Sequence, residues 1–94
     1  MIIEHKQTDR RGMFFVPGEE DEPMAELVYM KQGTHTMIIE HTGVSEALRG
    51  QNVGYELVKT AIEYAKAHHL KVIPMCTFAK AIIDRKPEFR DVVG

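Results

Sequence analysis

The feature that most constrains this chain is a single change of hydrophobic period about halfway along it. Val53, Leu57, Val58, Ala61, Ile62 and Ala65 recur at helical spacing and form one apolar stripe, over about four turns. Glu56, Lys59, Glu63 and Lys66 fall on the opposite side, at spacings that allow mild ion-pair support. The residues before that stripe alternate or break at turn signals, the pattern of half-buried strands. In 94 residues there is room for one domain, 1–94, so the helix must share a core with those strands.

Ile2 to Gln7 reads as a first strand, Asp9-Arg10-Arg11-Gly12 as a turn, and Met13 to Val16 as a second strand ended by Pro17-Gly18. Glu19, Glu20, Asp21 and Glu22 form an acidic loop closed by Pro23. A third strand, Met24 to Lys31, alternates Ala25, Leu27 and Tyr29 against other residues, and Gln32-Gly33 signals a hairpin turn. A fourth strand runs from Thr34 to Thr42, with Thr36, Ile38 and Ile39 as β-branched residues. The long helix ends near His68-His69, and Lys71 to Cys76 is a fifth strand. A shorter helix follows with Thr77 as its N-cap, runs through Phe78, Ala81 and Ile82, and stops before Lys86-Pro87.

The class is α/β (α+β): an antiparallel meander, then a strand-helix-strand crossover that makes the fourth and fifth strands parallel neighbours. Pro74 donates no backbone N–H. It fits either an edge position or two strands that part beside it and leave a cleft.

Composition narrows the function. The formal charge is −2 with Lys and Arg scattered, so no basic face is present and nucleic acid is not an expected partner. No apolar run is long enough to span a bilayer, and Met1-Ile2-Ile3-Glu4-His5 does not read as a signal peptide. No membrane partner is therefore expected. Cys76 is the sole cysteine, which precludes an intrachain disulfide and suits a reducing, cytoplasmic location. His68-His69 are neighbours rather than an i, i+4 pair, and the other histidines are scattered, so no metal is expected. An exposed sheet edge permits a weak homodimer beside the monomer.

Between the fourth strand and the long helix lies Arg49-Gly50-Gln51-Asn52-Val53-Gly54. A loop entering a helix presents unpaired N–H groups at the positive end of the helix dipole. Gly50 and Gly54 allow close backbone approach to a ligand, and Asn52 tolerates left-handed conformations. Together they form an anion nest able to take a pyrophosphate. Dinucleotide-binding spacing is missing, and so is the Gly-Lys-Ser/Thr of a P-loop.

This loop resembles the coenzyme A loop of the GNAT superfamily of acetyltransferases, Arg/Gln-x-x-Gly-x-Gly/Ala, with Asn52 at the usual middle glycine. The stretches Glu40-His41-Thr42-Gly43-Val44, Leu70 to Phe78 and Pro87-Glu88-Phe89 resemble a small single-domain GNAT-like family. The likeness spans roughly residues 24–92. It implies a minimal GNAT-like fold whose fourth and fifth strands splay to admit the pantetheine arm of acetyl-coenzyme A. It also implies a putting of acetyl onto a small-molecule or protein amine, with a coenzyme A-binding module lacking turnover as the alternative. On this resemblance, Arg49, Gly50, Gln51, Asn52, Val53, Gly54 and Tyr55 hold the pyrophosphate, and the edge of Thr42, Gly43 and Val44 bonds the pantetheine amides. Phe78 joins the coenzyme-binding set, and Lys80 or Arg85 reaches the 3′-phosphate unless they are plain surface charges. The two helices that cover the acceptor side in larger members are absent, which implies a short and open acceptor site.

His41 and Cys76 are the candidate catalytic residues, at the ends of the fourth and fifth strands. Imidazole titrates near neutral pH and suits a general base. A thiol can take the acetyl group or donate a proton to the leaving thiolate. The plainer roles are a half-buried strand histidine and a small core residue. Glu40 is the other candidate base, and strand alternation points it away from His41. The acid tyrosine of many GNAT enzymes corresponds to Ile82. The acidic loop 19–22 either attracts a cationic amine or is simply solvated.

Overall fold

Alternation in the first half of the chain produces four antiparallel strands, β1 (Glu4–Gln7), β2 (Arg11–Val16), β3 (Ala25–Gln32) and β4 (Thr36–Val44). After helix α1 (Val53–Ala67), β5 (Lys71–Pro74) pairs in parallel with β4, so the spatial order is β1-β2-β3-β4-β5. The chain closes with α2 (Thr77–Arg85) and α3 (Pro87–Arg90). These elements come from a computed structural model, which describes residues 1–20 and 22–94. Asp21, in the acidic loop, lies outside the described residues.

Several boundaries differ from the sequence expectation, each for a local reason. β1 begins at Glu4 rather than Ile2, and β2 already begins at Arg11, whose partner is Met30. Gln32 stays in β3, and the turn is Gly33-Thr34-His35 with Gly33 at φ 63°. β4 continues to Val44 because β3 pairs with it as far as Ala25. β5 stops at Pro74 rather than Cys76, where the missing N–H ends the ladder. Cys76, not Thr77, is the N-cap of α2, and Thr77 is the first helical residue. Pro87 opens α3, a turn of helix that the sequence reading does not contain.

Even-odd alternation separates two faces. Phe14, Ala25, Leu27, Tyr29, Met37, Ile39 and Val72 point inward and are at most 3% exposed. The stripe of α1 packs on them, with Leu57, Val58, Ala61, Ile62 and Ala65 fully buried, and Ala79, Ile83 and Phe89 complete one cluster. Met13, Phe15, Val28, Met30, Ile38 and Ile73 face the other way, are only half-buried, and do not join that cluster. The fold is therefore two layers, a sheet covered by helices on one side. The free edge of β5 is met by the C-terminal residues, with Val72 N–H donating to Val92 O and Gly94 N–H to Val72 O.

Candidate active site

The site begins where β4 and β5 part. Their register runs from Thr36↔Lys71 to Ile39↔Pro74 and stops, while β4 continues five residues further beside β3 alone. The amides of Met75 and Cys76 both donate to Ile39 O, which anchors the diverging chain at that point. Pro74 thus satisfies both expectations, since β5 is the last strand and Pro74 is also where the cleft opens.

On the inner face this gap opens into a cavity of about 970 Å³. Thr42 and Val44 of β4 form one wall, and Arg49, Gly50, Asn52, Val53, Gly54 and Tyr55 form the end at the N-terminus of α1. Phe78, Ile82, Arg85 and Lys86 close the α2 side. Gly50 has φ 82° and Asn52 has φ 64°, so the loop turns with two left-handed residues and delivers its amides to the helix start. Intrahelical bonding begins with Glu56 N–H to Asn52 O, and no side chain caps the turn before it. The N–H groups of Val53, Gly54 and Tyr55 thus precede the first intrahelical bond, at the positive end of the helix dipole.

Of the residues expected to hold a coenzyme, Thr42, Val44, Arg49, Gly50, Asn52, Val53, Gly54, Tyr55 and Phe78 line this cavity. Gly43, Gln51 and Lys80 do not. Gly43 points to the outer face beside the His41 ring, and Gln51 turns its amide to Ala47 O at 3.3 Å. Lys80 is one turn off the cavity, paired with Asp84 at 3.0 Å. The cationic lining comes instead from Arg49, Arg85 and Lys86. Arg85 is one of the two alternatives the sequence offers for the 3′-phosphate, and Lys86 is a lining residue that sequence reasoning does not single out. Gly54 has a further role, because a Cβ there would meet Phe78 Cε2 at 2.7 Å. The aromatic ring lies on the bare helix backbone.

The catalytic candidates flank the gap from opposite faces. Cys76 is half-buried at the α2 N-terminus, and its thiol donates to Thr42 Oγ1 across the splay at 3.5 Å. Burial pushes the thiol pKa up, but the Ala79 amide, the Thr42 hydroxyl, the Phe78 amide and the Thr42 backbone outweigh it, leaving the thiol below its ordinary value. Those helix amides face the sulfur without a formal capping bond.

His41 requires a correction. β4 carries a β-bulge: Val28 pairs with His41 and Tyr29 with Ile39, which leaves Glu40 as the extra residue. Past the bulge the alternation shifts by one, so Thr42 and Val44 inherit the inner face. Glu40 and His41 both stand on the outer face. Glu40 accepts from Arg11 at 2.6 Å, and His41 Nε2 lies 3.7 Å from Glu26 Oε2. Opposed faces for Glu40 and His41 is therefore overturned, and a bulge has no signature in a single β-branched strand. No hydrogen bond or ion pair among the described residues joins His41 to Cys76.

Among the described residues no group of three or more His, Cys, Asp or Glu is arranged to hold a metal ion. No helix among them is long and apolar enough to cross a membrane.

Comparison with known proteins agrees with this geometry. The family model of GCN5-related N-acetyl-transferases matches residues 13–92. Protein NATD1 of Danio rerio is 28% identical over 85 residues, covering 90% of this chain and 76% of that protein. The solution structure of a GCN5-like protein from Staphylococcus aureus superposes with a TM-score of 0.75 at 35% identity, covering 97% of this chain and 87% of the other. A GNAT family acetyltransferase from Elizabethkingia anophelis, solved with acetyl-CoA bound, shares the fold at a TM-score of 0.56 and 21% identity, over 69% of this chain and 42% of its own.

Proposed function

Because the chain belongs to the GCN5-related N-acetyltransferase family, we propose that it transfers an acetyl group from acetyl-coenzyme A to an amine. The observation that carries this reading is the cavity of about 970 Å³ running from the Arg49–Gly54 loop to Thr42 at the splay. Its residues fit the coenzyme. The amides of 50–54 and of Tyr55 suit the pyrophosphate, while Arg49, Arg85 and Lys86 supply counter-charge for it and for a 3′-phosphate. The β4 edge at Thr42, Gly43 and Val44, no longer paired with β5, suits the pantetheine amides. The coenzyme would supply a thioester as acetyl donor.

In the transfer a bond forms between the amine nitrogen and the acetyl carbon, and the carbon–sulfur bond breaks. The amine loses a proton and the departing thiolate gains one. His41 Nε2, with Glu26 beside it, is suited to accept the first proton. The Cys76 thiol is suited to the second. The same thiol, held below its ordinary pKa, also suits a two-step route in which Cys76 takes the acetyl group and passes it to the amine. A free thiol of this kind is compatible with the reducing cytoplasm.

A second reading is a coenzyme A-binding module without turnover. Ile82, at the position where the larger enzymes' acid tyrosine would correspond, lines the cavity with no proton to give. Calorimetry with acetyl-coenzyme A, followed by thiol release in the presence of amines, separates the two. Binding with release supports the transferase. Binding without release leaves the module, and no binding at millimolar ligand refutes both. An acetylated Cys76 peptide in mass spectrometry, lost in Cys76→Ala together with transfer, supports the two-step route.

A further inference from the structure

We propose that the free edge of β1 is an interface for a second copy of this chain, the two β1 strands pairing antiparallel about a two-fold axis at His5 to give one continuous sheet. This goes beyond the transferase reading and does not depend on it.

The two edges of the sheet differ. β5 is met by the C-terminal residues, whereas among the described residues no strand lies beyond β1. Helix α1 packs chiefly over β2, β3 and β4, which leaves the flank of β1 open. Edges that must stay unpaired are blunted by proline, a bulge or inward-pointing charge. Residues 3–7 contain no proline, and the register of β1 on β2 runs unbroken from Glu4 to Gln7.

Two bonds fix which backbone groups face that edge. Thr8 N–H donates to Arg11 O between β1 and β2, and Lys31 N–H donates to Arg10 O between β2 and β3. Hydrogen-bonded and non-bonded pairs alternate along an antiparallel ladder. Lys6↔Met13 and Glu4↔Phe15 are therefore the bonded pairs, and His5 and Gln7 aim their N–H and C=O away from β2. His5 is already held in place. Its ring stacks on Phe14 with centroids 4.1 Å apart and shares a 2.6 Å hydrogen bond with the Tyr29 hydroxyl. Pairing at this edge thus orders little further chain.

Charge selects the register. Glu4 and Lys6 flank His5, are both exposed and stand on the outer face, where Lys6 lies over the Phe15 ring at 5.2 Å. An axis at His5 sets Glu4 opposite the partner's Lys6 and Lys6 opposite the partner's Glu4. These are non-bonded positions, where Cα atoms come within about 4.5 Å and side chains are closest. On the inner side Ile3 meets the partner's Gln7. An axis at Gln7 would instead put Lys6 opposite Thr8, and an axis at Ile3 would put Glu4 opposite Ile2. Only the His5 axis matches both charges. About six backbone bonds form across it. The edge is short and buries well under the about 800 Å² per copy of a standard interface, so the dimer is reversible.

The test is sedimentation equilibrium of the full chain at low salt, over roughly 10 μM to 1 mM. A concentration-dependent dimer is expected, with the His5 and Gln7 amides protected from hydrogen exchange only at the upper end. Lys6→Glu is expected to weaken dimerisation about tenfold or more, because two attractive cross-strand pairs become repulsive. Glu4→Lys should do the same, and the double variant Glu4→Lys/Lys6→Glu should restore the dimer. Both side chains are exposed and three strands from the cavity, so acetyl-coenzyme A affinity should be the same in all four proteins. A monomer at every concentration, a dimer indifferent to Lys6→Glu, or a double variant as weak as the single ones overturns the proposal. Each of these leaves the transferase reading standing.

Discussion

Gly54→Ala is expected to separate ligand binding from folding. Gly54 is the second residue of α1, and a Cβ there would overlap the edge of the Phe78 ring rather than any backbone atom. Phe78 is 45% exposed, so the ring can swing away, at a loss of about half of the roughly 1.5–3 kcal/mol that burying a phenylalanine contributes. Alanine returns up to about 1 kcal/mol of helix propensity. The two terms nearly cancel, and the melting temperature should move by no more than about 4–8 °C in a domain of this size. Binding should respond differently. The methyl group and the displaced ring both enter the cavity at the free amides of the helix start. Losing one amide bond to a charged phosphate, worth about 1.5–3 kcal/mol, weakens affinity roughly 10- to 100-fold. Calorimetry with acetyl-coenzyme A beside thermal unfolding reads both quantities. Phe78→Ala in the Gly54→Ala background should recover part of the affinity, and the cycle isolates the ring's share. Unchanged affinity in a folded Gly54→Ala protein would refute the assignment of those amides to the ligand. A fall in melting temperature well beyond that range would show that the ring cannot move as argued.

Three further outcomes are expected. The rate of Cys76 alkylation by iodoacetamide against pH should have its midpoint below the ordinary thiol value of 9.0, and Thr42→Val should raise it; a midpoint at or above 9.0 counts against the helix-terminus environment. His5 is held below its ordinary value of 6.5, first by burial and then by Lys31 and His68. Its neutral ring shares a hydrogen bond with the Tyr29 hydroxyl at 2.6 Å, and burial keeps that phenol protonated well above the usual range. A lowered histidine stabilises the fold above 6.5 and loses that contribution as pH falls through the lowered value. Unfolding temperature should therefore drop on acidification below neutrality, less steeply in His5→Asn; identical slopes would remove His5 from the account. Gly12→Ala should destabilise by about 1–3 kcal/mol in denaturant melts, because its Cβ would overlap the Tyr29 ring, which is fully buried; a neutral result would mean that Tyr29 has room to shift.

How far this chain can be read from its letters depends on the length scale of each feature. The stripe from Val53 to Ala65 predicts a helix within two residues of the observed Val53–Ala67, because many side chains report one period. The parallel pairing of β4 with β5 follows from a crossover that has few alternatives. Glycines and Asn52 announce the left-handed turns at the start of α1. What escaped depends on single residues whose effect is set by a neighbour strand. Glu40 becomes a bulge only because β3 supplies one fewer residue between Val28 and Tyr29, and nothing in Ile38-Ile39-Glu40-His41 states that. The consequence is large, since one unpaired residue moves His41 to the outer face of the sheet and gives Thr42 to the inner face, where it lines the cavity. Cys76 as a helix N-cap is equally silent, because cysteine carries none of the hydrogen-bonding preference that makes Thr77 the natural choice. Both misreadings lie at the same gap. There β4 gives up regular pairing and α2 gives up a conventional cap, so local rules fail where the chain has to hold a thiol and an imidazole on opposite sides of an opened sheet.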